Sequence, residues 1–438
     1  MRLLRIDQDL ARDSYYAATA PRQEAYAPLH GDVEADVAIV GGGLAGLSAA
    51  LELVQHGLDV RLLEASQVGG GASGRNGGQA IHGLACDNST VEGQLGLADA
   101  RRLWDMSLEA LDLIRQRCAG HGIDAEWQDG FLGLSTKPSK TRELRAWADR
   151  LERDYHYPLQ WIGPEHVQDW IASPRFHAGI HDPRSGHLHP LKYCLGLARA
   201  AAAAGATLHE GSAVHQMEAA ADGTQRLRTS TGSVRARQVL LAGNVYLQAL
   251  APELAPALAD RVMPVGTYIV CTEPLDPERL RALIPSRSAV CDTNFVLDYF
   301  RPTADHRLLY GGRVSYSMVT PRDLMQSMQA RLVRTFPQLA DVGMSHAWGG
   351  FVDISINRAP DFGRLGAQRN VYYLQGFSGH GLALTGLAGK VVAEAMRGDA
   401  ARFDCFGKLR HRPFPGGTLM RTPALVLGMA YYRLRDLL

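Results

Sequence analysis

Asp36-Val-Ala-Ile-Val-Gly-Gly-Gly-Leu-Ala-Gly46 is a short apolar strand that runs straight into a glycine-rich turn. Gly41, Gly43 and Gly46 occupy the three glycine positions of GxGxxG. The first permits a tight turn, the second lets the backbone approach a pyrophosphate, and the third lets helix and strand pack closely. Leu47, Ala50, Leu51 and Val54 then repeat on one helical stripe, Gly57 sits where a helix end belongs, and residues 60–63 read as a second strand. Glu64 follows eighteen positions after Gly46, where an acidic residue takes ribose hydroxyls. A phosphate would rest on the helix N-terminus, whose free N–H groups and macrodipole favour negative charge. This unit specifies an adenine dinucleotide and leaves NAD and FAD both open.

The same strand, turn and helix logic returns more than three hundred residues later in Val371-Tyr-Tyr-Leu-Gln-Gly-Phe-Ser-Gly-His-Gly381. Two such turns bracketing one chain favour a long cofactor clasped from both ends, FAD rather than a nicotinamide. Between them, Val68-Gly-Gly-Gly-Ala-Ser-Gly-Arg-Asn-Gly-Gly-Gln79 is too glycine-rich for a helix or regular strand. Arg75, Asn76 and Gln79 are its polar groups, and its glycines let backbone approach a flavin closely. The distal helix N-terminus would stabilise the negative charge that reduction leaves on the pyrimidine edge of the ring. His380 there reads either as a hydrogen-bonding group at the flavin or as a structural cap.

The chain has 438 residues, 46% hydrophobic and 21% charged, with a formal net charge of +1. That balance is that of a globular protein of two or three domains, and it advertises no nucleic-acid partner. Six scattered cysteines without a CxxC pair read as reduced thiols, and no signal-peptide core or membrane-length apolar run is present. The expected location is cytoplasmic. His181, His187 and His189 match no standard metal spacing, so no metal is expected, and a hairpin edge near the flavin or substrate is the better reading. Ser73 and Ser378 lack a His and acid arrangement for nucleophilic catalysis.

The fold class is mixed α/β, a Rossmann-like FAD-binding domain interleaved with a substrate domain on a mixed or antiparallel sheet with helices. The FAD-binding domain is expected over 36–96, 179–260 and 345–400, and the substrate domain over 97–178 and 261–344. A polar, irregular extension (1–35) precedes them, with Ser14-Tyr-Tyr16 across the domain surface, and a tail (401–438) follows. Helix is expected over most of 97–156, apart from a strand at 130–134, and over 191–204, 322–336 and 382–396. Strands are expected near 207–208, 213–214, 239–244, 265–272, 295–301, 308–313, 348–354 and 371–374. The apolar, arginine-bearing stretch 419–438 reads as a packed helix, with peripheral membrane or partner docking as the alternative. The sequence leaves the oligomeric state open.

The Gly41 turn, Gly-Ala-Ser-Gly-Arg-Asn-Gly-Gly-Gln at 71–79, Trp348-Gly-Gly350 and Gly-Phe-Ser-Gly-His-Gly at 376–381 together resemble the D-amino-acid oxidase superfamily of FAD-dependent oxidoreductases. Within it the chain is similar to the gamma-glutamylputrescine oxidoreductase branch, as are Leu297-Asp-Tyr-Phe-Arg301, Gly311-Gly-Arg313 and Pro415-Gly-Gly-Thr-Leu-Met-Arg-Thr-Pro423. The resemblance covers nearly the whole chain. It implies cofactor contacts from Gly41, Gly43, Leu44, Ala45, Gly46, Glu64, Ala65, Gly71, Ala72, Ser73, Arg75, Asn76, Gly77, Gly78 and Gln79. Val214, Gly243, Asn244, Gly349, Gly376, Ser378, Gly379, His380 and Gly381 complete that set.

Three departures from the sarcosine-oxidase branch bear on function. Ala383 stands where that branch has a lysine for the substrate carboxylate, which argues against a small α-amino acid. Residues 348–375 hold no cysteine, and Arg75 stands about where other relatives link flavin to histidine, so the FAD is expected to be noncovalent. Residues 193–389 hold no lysine, which leaves O2 or a quinone as the electron acceptor. The implied reaction is hydride transfer from an amine α-carbon to flavin N5, giving an imine that hydrolyses to an aldehyde. The expected substrate is a gamma-glutamyl polyamine or related amine. Tyr268, Tyr299 and Phe300 are candidate pocket walls, Tyr246 a lesser one, and Arg313 a candidate partner for a distal carboxylate, with His380 beside them. Two rival readings are an FAD-dependent D- or cyclic amino acid dehydrogenase feeding quinone, and a tRNA-modifying flavoprotein, which the balanced charge disfavours.

Overall fold

The computed structural model describes residues 10–11, 13–294, 296–315, 323–367 and 369–417, with the side chains of 313–315 outside the description. Its first sheet runs, strand by strand, Asp361–Leu365, Val371–Gln375, Gly232–Leu241, Gly31–Val40, Val60–Leu63 and Thr207–His209. The last five are mutually parallel, and Asp361–Leu365 is antiparallel to its neighbour. Val37–Ile39 and Val60–Leu63 carry the near-continuous apolar runs that a sheet covered on both faces requires. From the central strand Gly31–Val40 the chain moves to Val60–Leu63 on one side, while Gly232–Leu241 lies on the other. Strand order therefore reverses beside Gly41, the switch point at which open α/β sheets bind ligands beyond their carboxyl ends.

Three helices, Leu44–Val54, Pro190–Ala203 and Gly381–Met396, cover one face of this sheet and bury Leu47, Leu51, Leu197, Leu387 and Val391 completely or nearly so. The two that begin at glycine-rich turns are in direct contact. A Cβ on Gly389 would lie 2.5 Å from the Ala45 carbonyl oxygen, and the Ser48 hydroxyl donates to the Gly386 carbonyl at 2.5 Å. Glycines on one helix thus let the other approach to backbone contact. The N-termini of both helices are brought to the same edge of the sheet.

The second sheet is ordered Met344–Ser355, Val262–Thr272, Leu308–Ser315, Tyr299–Pro302, Ala289–Asp292, Gln128–Ser135, Ala178–His187 and Gln79–Ala80. Only Ala289–Asp292 with Gln128–Ser135 pairs in parallel among its ladders. Its outer core packs Phe300, Tyr310 and Val270 against Met328, Leu332 and Phe336 of the helix Leu324–Thr335 and the turn after it. Asp292 and Asp298 are buried beneath Arg175, which reaches them at 2.7 and 2.5 Å. Burial is the larger influence on Asp292 and pushes its carboxyl up to about 7.

Several expectations need correction. Tyr15 and Tyr16 are 2% and 0% exposed, so Ser14-Tyr-Tyr16 is an inserted segment, not one lying across the surface. Apolar and aromatic surface on helix Tyr15–Thr19 finds a ready partner in Trp348, Ile269 and Leu191. Residues 213–214 form no strand, and the helix expected from 97 begins at Asn88 with a break at Gly96 (φ +80°). The strand expected over 295–301 is Tyr299–Pro302, while Phe295 lies outside the described residues, as do residue 322 and the tail segment 418–438. Among the described residues no helix is long and apolar enough to cross a membrane.

Replacing Gly389 by Ala puts a methyl group where the Ala45 carbonyl stands, so one helix must shift. The expected destabilisation is about 1–3 kcal/mol, read as a lowered denaturant midpoint with unchanged m-value. An unaltered midpoint would mean that the two helices are not held at backbone contact.

Candidate functional site

A groove of about 1150 Å³, partly open to solvent, runs along the carboxyl edge of the first sheet. Its floor is the Gly41–Gly43 turn, one end is Glu64, Ala65 and Ser66, and one wall is Gly69–Ser73 with Arg75. Ala242, Gly243, Asn244, Tyr246 and Leu247 form the opposite wall, and Phe351, Phe377 and Thr385 close the far end. Phe377 and Thr385 belong to the distal glycine segment and its helix, so both ends of the chain contribute to one cavity.

The turn allows no side chains. Gly41 has φ +116°, and a Cβ there would meet the Ala242 carbonyl oxygen at 2.7 Å. A Cβ on Gly46 would sit 2.1 Å from the Gly41 oxygen, and one on Gly43 would sit 2.7 Å from the Ser73 hydroxyl. That hydroxyl accepts from the Leu44 N–H at 3.0 Å, satisfying one of the orphan donors of the helix that begins there. Glu64 accepts from Gly42 N at 2.7 Å and from Ser66 N at 2.8 Å. Burial raises its carboxyl, and these donors oppose the rise. An acid at one end, backbone donors at a helix start in the middle and an aromatic far end fit an adenine dinucleotide that ends in a flavin.

The loop after the groove is tied down group by group. Asn76 donates to the Ala72 and Ser73 carbonyls at 3.0 and 3.1 Å and accepts from Gly78 N at 2.8 Å. Gln79 donates to the Val290 and Phe300 carbonyls, and the Trp348 indole donates to the Arg75 carbonyl at 2.9 Å. Gly77 is pressed against Tyr299, whose ring would meet a Cβ there at 2.6 Å. Asn76, Gly77, Gly78 and Gln79 thus lie past the groove, against the second sheet.

Sequence reasoning missed Asp353. Its carboxylate, 2% exposed, accepts from the backbone N–H groups of Gly376 and of Phe377, the latter at 2.9 Å, and the Asn244 side chain also bonds to it. One buried acid therefore fixes the distal turn and ties it to Asn244 on the groove wall. Burial outweighs these donors and pushes the carboxyl up to about 6. Ser378, at φ +52°, accepts from Ser355 N and donates to the Gly376 carbonyl, an internal tie within the turn. A buried Asp two residues past an apolar strand position carries no pattern that separates it from ordinary core.

His380 is half-buried, and its Nε2 faces the His82 and Ile81 carbonyls at 2.9 and 3.2 Å. Burial lowers its imidazole to about 4, so it is neutral near pH 7 and donates from Nε2. It caps no helical N–H with its side chain, although it holds the N-cap position of Gly381–Met396. Gly349 pairs with Tyr268, whose ring would meet a Cβ at 2.9 Å, while Gly376 and Gly379 sit at φ +80° and +82°.

The proposed pocket walls do not stand together. The pairing of Leu308–Ser315 with Val262–Thr272 skips Gly312, so Arg313 opposes Tyr268 while Gly311 opposes Ile269 and Tyr299. Because Tyr299 is aligned with Ile269 and Tyr268 is the next residue along that strand, alternation turns Tyr268 and Tyr299 to opposite faces. Tyr299 packs with Ile269, Trp348 and Tyr16 beside the Gly77 loop, whereas Tyr268 packs with Tyr246 and Phe351. Phe300 lies in the outer core. The Arg313 side chain lies outside the described residues. His181, His187 and His189 do not converge, and no group of metal-ligating side chains occurs among the described residues.

Two outcomes are expected. Gly41→Ala meets both a left-handed φ and the Ala242 carbonyl, and should lower FAD affinity at least tenfold, measured by flavin retention and fluorescence titration. Asp353 holds its proton more tightly folded than unfolded. Its stabilisation is therefore complete below about pH 4 and is lost as pH rises through about 6, a change of about 3 kcal/mol. Asp353→Asn, which cannot ionise, should flatten that slope in chemical denaturation between pH 4.5 and 7.

The family "FAD dependent oxidoreductase" (DAO) matches residues 36–395. The chain is 41% identical over 423 residues to Gamma-glutamylputrescine oxidoreductase of Escherichia coli, covering 97% of this chain and 98% of that protein. It is 38% identical to the Probable oxidoreductase OrdL of Rhizobium meliloti, covering 97% of each. Among solved structures, glycine oxidase from Bacillus cereus superposes with TM-score 0.72 at 20% identity over 86% of this chain and 99% of that one. L-proline dehydrogenase from P. horikoshii gives 0.69 at 20% identity, covering 87% and 100%. These two likenesses establish the fold. The chain belongs to the DAO family of FAD-dependent oxidoreductases, with FAD as its cofactor.

Proposed function

We propose that this enzyme oxidises an amine at its α-carbon, with a gamma-glutamyl polyamine or related amine as substrate and noncovalently held FAD. The observation that carries the substrate half is the 41% identity, over nearly the full length of both chains, to Gamma-glutamylputrescine oxidoreductase. Ala383, buried where a carboxylate-clamping lysine would stand in the sarcosine-oxidase branch, supports it by removing a reason to prefer a small amino acid. Reduced cysteines throughout the described chain, none of them among residues 348–375, support noncovalent binding. A cytoplasmic location belongs to the same reading.

The proposed division of labour follows the geometry. Glu64 takes the ribose hydroxyls, the turn at Gly41–Gly43 and the start of helix Leu44–Val54 take the pyrophosphate, and residues 71–79 carry the ring toward the second sheet. Bound FAD supplies a two-electron acceptor at N5. The chain's own residues orient the amine so that its α-hydrogen faces that atom, and exclude water around it. Desolvation by the aromatic surroundings lowers the amine pKa and releases the ammonium proton before transfer. Tyr268, packed with Tyr246 and Phe351 of the groove lining and paired with Arg313, is the proposed wall residue nearest that chemistry. Arg313 is the proposed partner for the distal carboxylate of a gamma-glutamyl group.

Anaerobic mixing with γ-glutamylputrescine, free polyamines, sarcosine and D-amino acids reads the substrate directly as bleaching of the flavin. The expected order places γ-glutamylputrescine first, by at least tenfold in reduction rate over sarcosine. Faster bleaching by a D- or cyclic amino acid would overturn the substrate assignment in favour of an amino acid dehydrogenase. Oxygen consumption measured against dye reduction assigns O2 or a quinone as acceptor. Arg313→Met is expected to raise KM for γ-glutamylputrescine at least tenfold with little change for putrescine.

A further inference from the structure

Arg301 is 2% exposed, and no carboxylate lies within 4 Å of it among the described residues. Its partners are all neutral. Nε donates to the Gly77 carbonyl at 2.8 Å, Nη1 to the Pro302 carbonyl at 3.2 Å, and Nη2 to the Tyr16 hydroxyl at 2.9 Å. Its remaining neighbour, His187 Nδ1, stands 3.5 Å from Nη1 while His187 Nε2 faces the Arg287 carbonyl. Burial and the guanidinium itself hold His187 and His189 down to about 3, so neither adds a second charge. Asp298 and Asp305, the acids nearest in sequence, are engaged elsewhere, Asp298 by Arg175 and Arg331 and Asp305 by Arg307, Thr303 and Tyr15. A guanidinium cannot discharge itself, and burying it without a counter-ion is expensive. An anion beside it would supply the missing counter-charge.

Its position says which anion. Gly77 and Gly78 are the glycines through which the loop leaves the groove, and a Cβ on Gly78 would collide with Arg301 Nε at 2.7 Å. Gly77–His82 is gripped at its two ends, by Arg301 on the Gly77 carbonyl and by His380 on the Ile81 and His82 carbonyls. We propose that Arg301 is a resident positive charge of the flavin site, additional to Arg75 on the groove wall, held in place by Tyr16 of the N-terminal helix, and that its field stabilises the negative charge reduction places on the ring. This rests on the reading that FAD follows residues 71–79. In the transfer, the amine carbon loses two electrons and a proton to the ring, and the charge left at N1–C2=O is what the guanidinium opposes. Arg301 acts across the Gly77 peptide without touching the ring, so it is a positioning residue. Tyr16 lies outside residues 36–395, the span that the family model matches.

Sulfite tests this without turnover. Its sulfur lone pair forms a bond to flavin N5, and the same negative charge appears at N1–C2=O with no electron source required. The measurements are the sulfite Kd and the two-electron potential of purified holoenzyme for wild type, Arg301→Gln, Arg301→Lys and Tyr16→Phe. Arg301→Gln should weaken sulfite binding at least tenfold and lower the potential by about 30 mV for each factor of ten. Arg301→Lys, which keeps the charge, should recover most of the loss, and Tyr16→Phe should give a severalfold intermediate effect. If Arg301→Gln does not fold, Tyr16→Phe alone decides, since it removes one hydroxyl and retains the ring packing. Wild-type sulfite affinity and potential in flavin-loaded Tyr16→Phe and Arg301→Gln, or in flavin-loaded Tyr16→Phe alone where Arg301→Gln yields no folded protein, would overturn the inference while leaving the flavin assignment intact. A wild-type protein that takes up no FAD would overturn both.

Discussion

The contact between the helices Leu44–Val54 and Gly381–Met396 is the constraint on which the rest of this molecule depends. Because Gly389 has no side chain, the second helix lies against the Ala45 carbonyl, and Ser48 bonds to Gly386 across the crossing. Parallel pairing then places Val40, Leu63, Leu241 and Gln375 at one edge of the sheet. With both helix starts at that edge, two weak anion sites become one elongated cavity. Neither turn alone would do this, since a helix N-terminus neutralises charge only within its first turn.

The second sheet supplies the other side through backbone contacts. Its strand Met344–Ser355 carries Asp353, which holds the distal turn, and Trp348, which holds the Arg75 carbonyl. The loop from Gly69 to Gln79 joins the two sheets, ending as the edge strand Gln79–Ala80 paired with Gly186–His187. A flexible loop of this glycine content would pay a large entropy cost on ordering. Here the cost is offset by bonds from Asn76, Gln79, Trp348 and Arg301 and by close packing such as that of Gly77 on Tyr299.

Electrostatics around that loop are arranged by burial as much as by charge. His187, His189 and His380 are all pushed down and remain neutral, so hydrogen bonds set their orientation and they add no field. Arg301 is thus a buried guanidinium whose hydrogen-bond partners are neutral, bonded to a segment that precedes the first sheet.

The amino-acid sequence determined the dinucleotide unit, the distal turn and the FAD family, because each is written in glycine spacing and apolar periodicity over adjacent residues. Gly41, Gly43 and Gly46 could be read as turn glycines directly, since the tight turn and the close packing there leave no room for a Cβ. The tertiary structure alone decided which side chains share a face. The register that aligns Tyr299 with Ile269 separates it from Tyr268, and register of that kind depends on pairing between distant strands. It also decided that Tyr15 and Tyr16 are buried and that Asp353 grips residues more than twenty positions away. Such contacts form between segments remote in the chain, so no local pattern records them.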